Sequence, residues 1–362
     1  MNTLFIIGNG FDLAHGLETR YEDFLFWLLK KELIEALENH SGEQNYTTKT
    51  NQVFHSFTIS SQFDTNSKDV FKTTVTTQLN TYNKLNDIKK DFIDETHTFE
   101  KLNFKNRIIK SSIDNYDSAN WSDLEWQYFR LISSNQYEVQ SLNEDLEFIR
   151  TELSKYLDSA QRTVVCTTAL VSKFQNIFKN EAGAENLIAT FNYTNTLSKY
   201  YQNLDFENVQ IHGDLNKSIL GYGDETTEQY KILEDQNNFE YIKFMKSSQY
   251  KRDDAYDKIH LFINQQVPKF AITVGADTHD PIPYKVVVLG HSCGLSDRVL
   301  LKEIFEKPAC SKIRVYHFEG ANKNTDFFHT LSNISRHFQN KIDMRSKVEF
   351  YDSKYIMPQW NY

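Results

Sequence analysis

Two short apolar runs, each stopped by glycine, constrain this chain more than anything else in it. Leu4–Ile7 (LFII) runs straight into Gly8-Asn9-Gly10, and YKVVVLGHS (284–292) carries the second run into Gly290. Brief runs rich in β-branched residues and bounded by turn formers read as strands buried on both faces. Such strands belong in a parallel sheet with helices covering both sides. Further strands are expected at NLIATFNY (186–193), NVQIHGD (208–214), SILGYGD (218–224), SKIRVYHF (311–318) and KVEFYD (347–352). Helices are expected where apolar residues recur at helical spacing: Leu25, Leu29, Leu33 and Leu37, with Thr19 or Asp23 as cap, then Leu142 to Leu157, then Phe327 to Phe338. Strand, glycine turn, helix is the opening unit of a Rossmann-like sheet. The fold class expected is therefore α/β, with a Rossmann-like parallel sheet.

The strands are not evenly spread. From Ser41 to about Ser118 the sequence turns to Asn, Thr, Ser, Gln and Lys, which reads as loops and exposed helices. NWSDLEWQYF (120–129) then looks like a helix start, with Ser122 and Glu125 spaced as a capping box. A further helix is expected over 165–180. The domain reading is a core of 1–40 and 184–362, bearing a charged helical cap at about 225–283, and a mainly helical insertion at 41–183.

Composition narrows the function classes. Of the 362 residues, 40% are hydrophobic and 25% charged, as in a globular protein rather than a disordered one. The 27 Phe and 20 Tyr read first as core filling, with an aromatic-lined pocket as the alternative. A net charge of −9 disfavours broad nucleic-acid binding, because phosphate backbones are repelled. Cys166, Cys293 and Cys310 form no Cys-x-x-Cys pair, which argues against a zinc ribbon and a disulfide framework. The apolar run at Leu4 lacks a basic leader, and no stretch is long enough to span a membrane. A cytoplasmic location is expected, with no membrane partner and no metal.

Ligands of open parallel sheets bind at the carboxyl ends of the strands. The polar clusters fall there. Gly8, Asn9 and Gly10 read either as a tight turn or as a ligand-contacting turn at a helix start. Asp12, two residues on, either contacts ribose hydroxyls or caps the helix. Asn192 can hold a hydroxyl or an attacking water, or simply form a turn. His212 ends a strand beside the one ending in Asn192, where a proton acceptor would be useful, although lone histidines are usually structural. Gly290–Gly294 (GHSCG) matches a nucleophile elbow literally. Ser292 would then need Asp326 with His329 or His337. Otherwise the loop backbone and Ser292 contact a ribose or phosphate, and Asp297 caps the next helix.

The segments IIGNGFDLAHGLETRYEDF, NWSDLE, TFNYTNTL, IHGDL, LGYGDE and VVVLGHSCGLSD resemble, in order, those of the AbiH family of bacterial abortive-infection proteins, which act in phage defence. The resemblance runs from residue 4 to about 300. More distantly, the glycine turn, Thr-x-Asn-Tyr, His-Gly and Gly-x-Ser resemble SIR2-like domains, which in bacterial defence often degrade NAD. That resemblance implies Asn192 and His212 as the catalytic pair, with Gly8, Asn9, Gly10, Asp12, Ser292 and Asp297 lining the NAD site. The missing zinc ribbon and the Gly-Asn-Gly-Phe-Asp turn depart from sirtuin deacylases. The expected function is an anti-phage effector that hydrolyses NAD. The alternatives are a nucleotide-sensing or partner-binding defence module without turnover, and a serine hydrolase using Ser292. The partners implied are a nucleotide, a phage-derived trigger or companion defence protein, and further copies of the chain.

Overall fold

The computed structural model describes residues 1–38, 51–59, 68–93, 99–115, 121–179, 183–204, 206–251, 254–268, 279–320 and 324–360. The chain divides into two compact units, Met1–Glu18 with Leu157–Tyr362, and Thr19–Tyr156.

Among the described residues, the main sheet of the first unit has five strands: β1 (Asn2–Ile7), β2 (Asn186–Thr190), β3 (Glu207–Gln210), β4 (Tyr284–Leu289) and β5 (Cys310–Tyr316). They form one sheet in the order β3–β2–β1–β4–β5, and every neighbouring pair is parallel. This is the Rossmann-like α/β arrangement expected from the apolar runs. β1 lies centrally, with Phe5 opposite Ile188 on one side and Val287 on the other. Its residues alternate between two cores. Leu4 and Ile6 pack with Val286, Ile259, Leu301 and Ile334 on one face. Phe5 and Ile7 pack with Phe11, Phe174, Phe178 and Leu197 on the other. Each such side chain, fully buried, contributes roughly 1.5–3 kcal/mol.

Two expected strands are absent. Residues 218–224 form no strand; Tyr222 makes only an isolated bridge to Met245. KVEFYD likewise meets β5 only through an isolated bridge, Ile313 with Val348, after the helix Lys341–Lys347. Among the described residues, the cap region holds four short helices between Glu228 and Ile263.

Two helices show how the compact units are made up. The helix Thr168–Phe178 belongs with the sheet, because Leu170, Phe174 and Phe178 recur every four residues and bury against Phe5 and Phe11. The helix Tyr21–Glu38 belongs with the second unit, where Leu25, Leu29, Leu33 and Leu37 are buried. Asp23 helps to start it by accepting from the Arg20 N–H at 3.1 Å, while the Thr19 hydroxyl is buried without a partner among the described residues.

The second unit also corrects the reading of 41–118 as loops and exposed helices. Phe54–Ile59 pairs antiparallel with Phe99–Phe104. A register shift between Phe54 and Ser56 lets Phe54 and Phe57 both be buried despite their odd spacing. That bulge hides the strand from a period-two search. The helix expected at Ser122 begins at Trp121, so Ser122 falls inside its first turn. Residues 39–50, 60–67, 94–98 and 116–120 of the segment lie outside the described residues. No described helix is long and apolar enough to cross a membrane.

Candidate functional site

The strand order places a topological switch point between β1 and β4. Connections leave these two strands in opposite directions, which opens a crevice at their carboxyl ends in folds of this kind. Gly8-Asn9-Gly10 follows β1, and Gly290-His291-Ser292 follows β4. Here the two loops are packed together. The Gly8 N–H donates to the Leu289 carbonyl at 3.1 Å, and the Gly10 N–H donates to the Gly290 carbonyl at 2.8 Å. A Cβ on Gly8 would lie 2.6 Å from the His291 Cα. The glycines therefore serve close backbone approach, and two of the turn's amides are occupied by the protein. Asn9 begins the short helix Asn9–Ala14, and its side chain has no hydrogen bond to a described residue.

The other expected residues gather beside this contact. The Asn192 amide donates to the Gly8 carbonyl at 3.0 Å, tying the end of β2 to the turn after β1. Its carbonyl oxygen accepts no hydrogen bond from a described residue. Asp12 does not cap the helix, because Gly8 occupies that position. Its buried carboxylate accepts from the Thr194 hydroxyl at 2.7 Å. Burial raises its pKa to about 6, against the opposing pull of that hydrogen bond.

Farther along the edge lies a buried group of charges. His212 Nε2 contacts Asp297 Oδ1 at 2.8 Å. Lys246 Nζ donates to the same oxygen at 2.8 Å. His291 Nε2 lies 3.5 Å from Asp297 Oδ2, and the Tyr250 hydroxyl reaches Oδ1 at 3.4 Å. The Cys293 N–H donates to His291 Nδ1 at 3.0 Å, so the His291 proton sits on Nε2, facing Asp297. The Phe191 ring joins the two histidines, with centroids 5.1 Å from His212 and 4.3 Å from His291. Asp297 thus stands where a helix N-cap would, at the start of Arg298–Glu306, but makes no capping hydrogen bond. Its carboxylate faces the cluster instead, which corrects the expected cap. Burial alone would raise its pKa; the Lys246 ammonium and His212 hold it well below the ordinary carboxylate range. Burial, reinforced by Lys246, pushes His212 down to about 4. At neutral pH the ring is neutral. With the Nε2 proton held by Asp297, its Nδ1 lone pair is the free basic position, and no described residue hydrogen-bonds it.

The family model for bacteriophage abortive infection AbiH matches residues 4–319. The chain belongs to the AbiH family. Membership carries a function in phage abortive infection. Neither the curated proteins nor the solved structures contain a match to the chain.

In this AbiH protein the nucleophile elbow does not assemble. The Ser292 carbonyl accepts from Asn333, and no described histidine hydrogen-bonds the Ser292 hydroxyl. His337 Nε2 is bonded to the Cys293 carbonyl at 2.8 Å, and Asp326 accepts from the Phe318 N–H at 2.7 Å. The residues of the AbiH cluster that the sequence did not announce are Lys246 and Tyr250. Lys246 and Tyr250 sit in FMKSSQY, inside the charged cap, where one more lysine draws no notice. The available signal was the apolar pair Phe244-Met245 before it, which marks a buried segment.

Proposed function

We propose that this AbiH protein is an abortive-infection effector that binds a nucleotide at the carboxyl edge of its sheet and hydrolyses the glycosidic bond of NAD. The observation that carries the reading is the His212–Asp297 pair, with Nε2 held at 2.8 Å and Nδ1 left to act as base. An oriented imidazole of this kind takes a proton as a reaction proceeds, while the adjacent carboxylate stabilises the imidazolium that forms.

A water oxygen bonds to ribose C1′ as the bond from C1′ to the nicotinamide nitrogen breaks. The electron pair leaves with nicotinamide, and the water proton passes to His212 Nδ1. The Asn192 carbonyl oxygen accepts from the water or a ribose hydroxyl. Asp12, ionised above about pH 6, favours the positive charge that develops on the ribose. Asn9, through its side-chain amide, and Ser292, through its hydroxyl, contact the nucleotide. Gly8 and Gly10 shape the wall rather than donate, since their amides are already bonded to the β4 loop. That same closure favours a second reading, a sensor that binds nucleotide without turning it over.

The test is nicotinamide release from NAD by the purified full-length protein, with and without phage lysate. Wild type is expected to release nicotinamide, and His212→Ala to slow it by about 10²-fold or more. Equal release by the two proteins removes His212 from the mechanism. Nucleotide binding without release by wild type selects the sensor.

A further inference from the structure

Lys246 takes no part in the proposed reaction as acid, base or substrate contact. Yet it is fully buried, and its ammonium sits on Asp297 Oδ1 at 2.8 Å. A glycine-containing stretch of the LGYGDE motif brings it there. The Tyr222 N–H donates to the Phe244 carbonyl at 3.2 Å, and the Lys246 N–H donates to the Tyr222 carbonyl at 2.9 Å. On the other side, the Val299 N–H donates to the Gly223 carbonyl at 3.2 Å. A Cβ on Gly221 would overlap the Phe244 carbonyl. The stretch therefore stitches the segment carrying Lys246 to the segment carrying Asp297. Arg298 adds a tie through Asp224 at 3.1 Å.

We propose that Lys246 is a positioning residue, whose buried ammonium holds Asp297 as the anion that orients His212 and keeps the His212 ring neutral. The inference rests on His212 acting as the proton acceptor. The groups facing His212 come from several elements. Asp297 and Arg298 lie at the start of the helix after β4, His291 lies in the loop after β4, and Lys246 and Tyr250 come from the cap. His337, on the helix Phe327–His337, stands behind Cys293. Of these, His291 Nδ1 accepts from the Cys293 N–H, and Arg298 is paired to Asp224. Lys246 and Asp297 are then the unit charges in closest play. A cation beside an imidazole disfavours its protonation, and an anion favours it. Removal of the ammonium leaves Asp297 alone to act, so the His212 ring gains affinity for a proton.

The test follows the His212 ring by NMR from pH 5 to 8 in the full-length protein, assigned with His212→Gln. In wild type the ring stays neutral across this range. In Lys246→Met and Lys246→Gln its midpoint is expected to rise by about one pH unit or more, a tenfold gain in proton affinity. Lys246→Arg is expected to restore the neutral ring. The His15 ring, bonded to Phe11 and Tyr201, reports an intact fold. An unshifted His212 midpoint in the folded neutral variants overturns the proposal. So does unfolding of both neutral variants while Lys246→Arg stays folded, which marks the ion pair as structural. Where NAD is turned over, the acidic limb of the pH profile moves up with the midpoint, because the base works only when neutral. A shifted midpoint without turnover in wild type leaves the role of Lys246 standing and removes the hydrolysis reading.

Discussion

Asp297 shows how a residue can occupy a familiar position and serve another purpose. A carboxylate at the start of a helix ordinarily satisfies the helix's free N–H groups. Here it faces inward, toward Lys246 and two histidines. Breaking a buried pair by removing one partner leaves the other charge uncompensated, which costs about 3–5 kcal/mol. Asp297→Asn is therefore expected to lower the urea unfolding free energy by that order, because buried Lys246 and His212 both lose the carboxylate they contact. A loss under 1 kcal/mol would mean that the cluster relaxes or is hydrated. The sequence marked Asp297 as a site residue because it follows Gly-x-Ser at the end of a strong strand. It could not reveal the carboxylate's direction, because that depends on Lys246, which lies 51 positions earlier. His212 and Asn192 were legible for a different reason. Each closes a short strand, and strand ends in parallel sheets converge whatever the intervening chain does.

Between elements, the decisive contact is the one joining the loops after β1 and β4. Gly10 stands against Gly290, where a Cβ would come within 2.7 Å of the neighbouring Cα. Gly290 itself has φ +68°, a left-handed conformation that suits glycine. Gly10→Ala must push two backbones apart, and overpacking of this sort costs about 1–3 kcal/mol. Thermal unfolding of Gly10→Ala is the check; an unchanged midpoint would show that the loops are not held in contact. The glycine turn was visible in the sequence at once. Whether it cradled a ligand or let two loops approach was not, because both uses require the same missing side chain. The helix Thr168–Phe178 was also legible, but its allegiance was not. Only the placement of Phe5 and Phe11 shows what Phe174 and Phe178 pack against. The antiparallel pair Phe54–Ile59 and Phe99–Phe104 escaped because a bulge breaks the alternation that would have signalled it.

For the whole molecule, acid should be more damaging than composition alone suggests. His15, His212 and His337 are each held near a pKa of about 4, chiefly by burial. In the unfolded chain they bind protons as pH falls through about 6.5; in the folded chain they do so only near 4. Their contribution is thus complete above 6.5 and is lost as pH falls toward 4. Asp12, raised to about 6, acts in the opposite sense over the lower part of this window, one group against three. Glu32, Asp145 and Asp326, also raised by burial, oppose the histidines further at lower pH. Between pH 7 and 5.5 the unfolding free energy is expected to fall by about 1.4 kcal/mol per pH unit for each uncompensated proton. Urea titrations at three pH values measure it, and a flat profile would contradict the burial of neutral histidines. At this scale the α/β class was readable from strand runs alone, whereas the unit boundaries were not: Leu157 falls within the helix Val139–Thr163, and Glu18 in a short connection just before Tyr21–Glu38.

The position of β1 in the sheet also sets a schedule. It is the central strand, but its neighbours β2 and β4 begin only at Asn186 and Tyr284. A ribosome adding roughly 5–20 residues per second delivers β4 on the order of ten to sixty seconds after β1. Until β2 emerges, the six residues of β1, all buried in the finished fold, have neither edge paired, and until β4 follows only one edge is. The nascent protein thus carries an apolar strand with an open edge through most of its synthesis, and its yield in the cell should rise with chaperone supply more than with any gain in final stability.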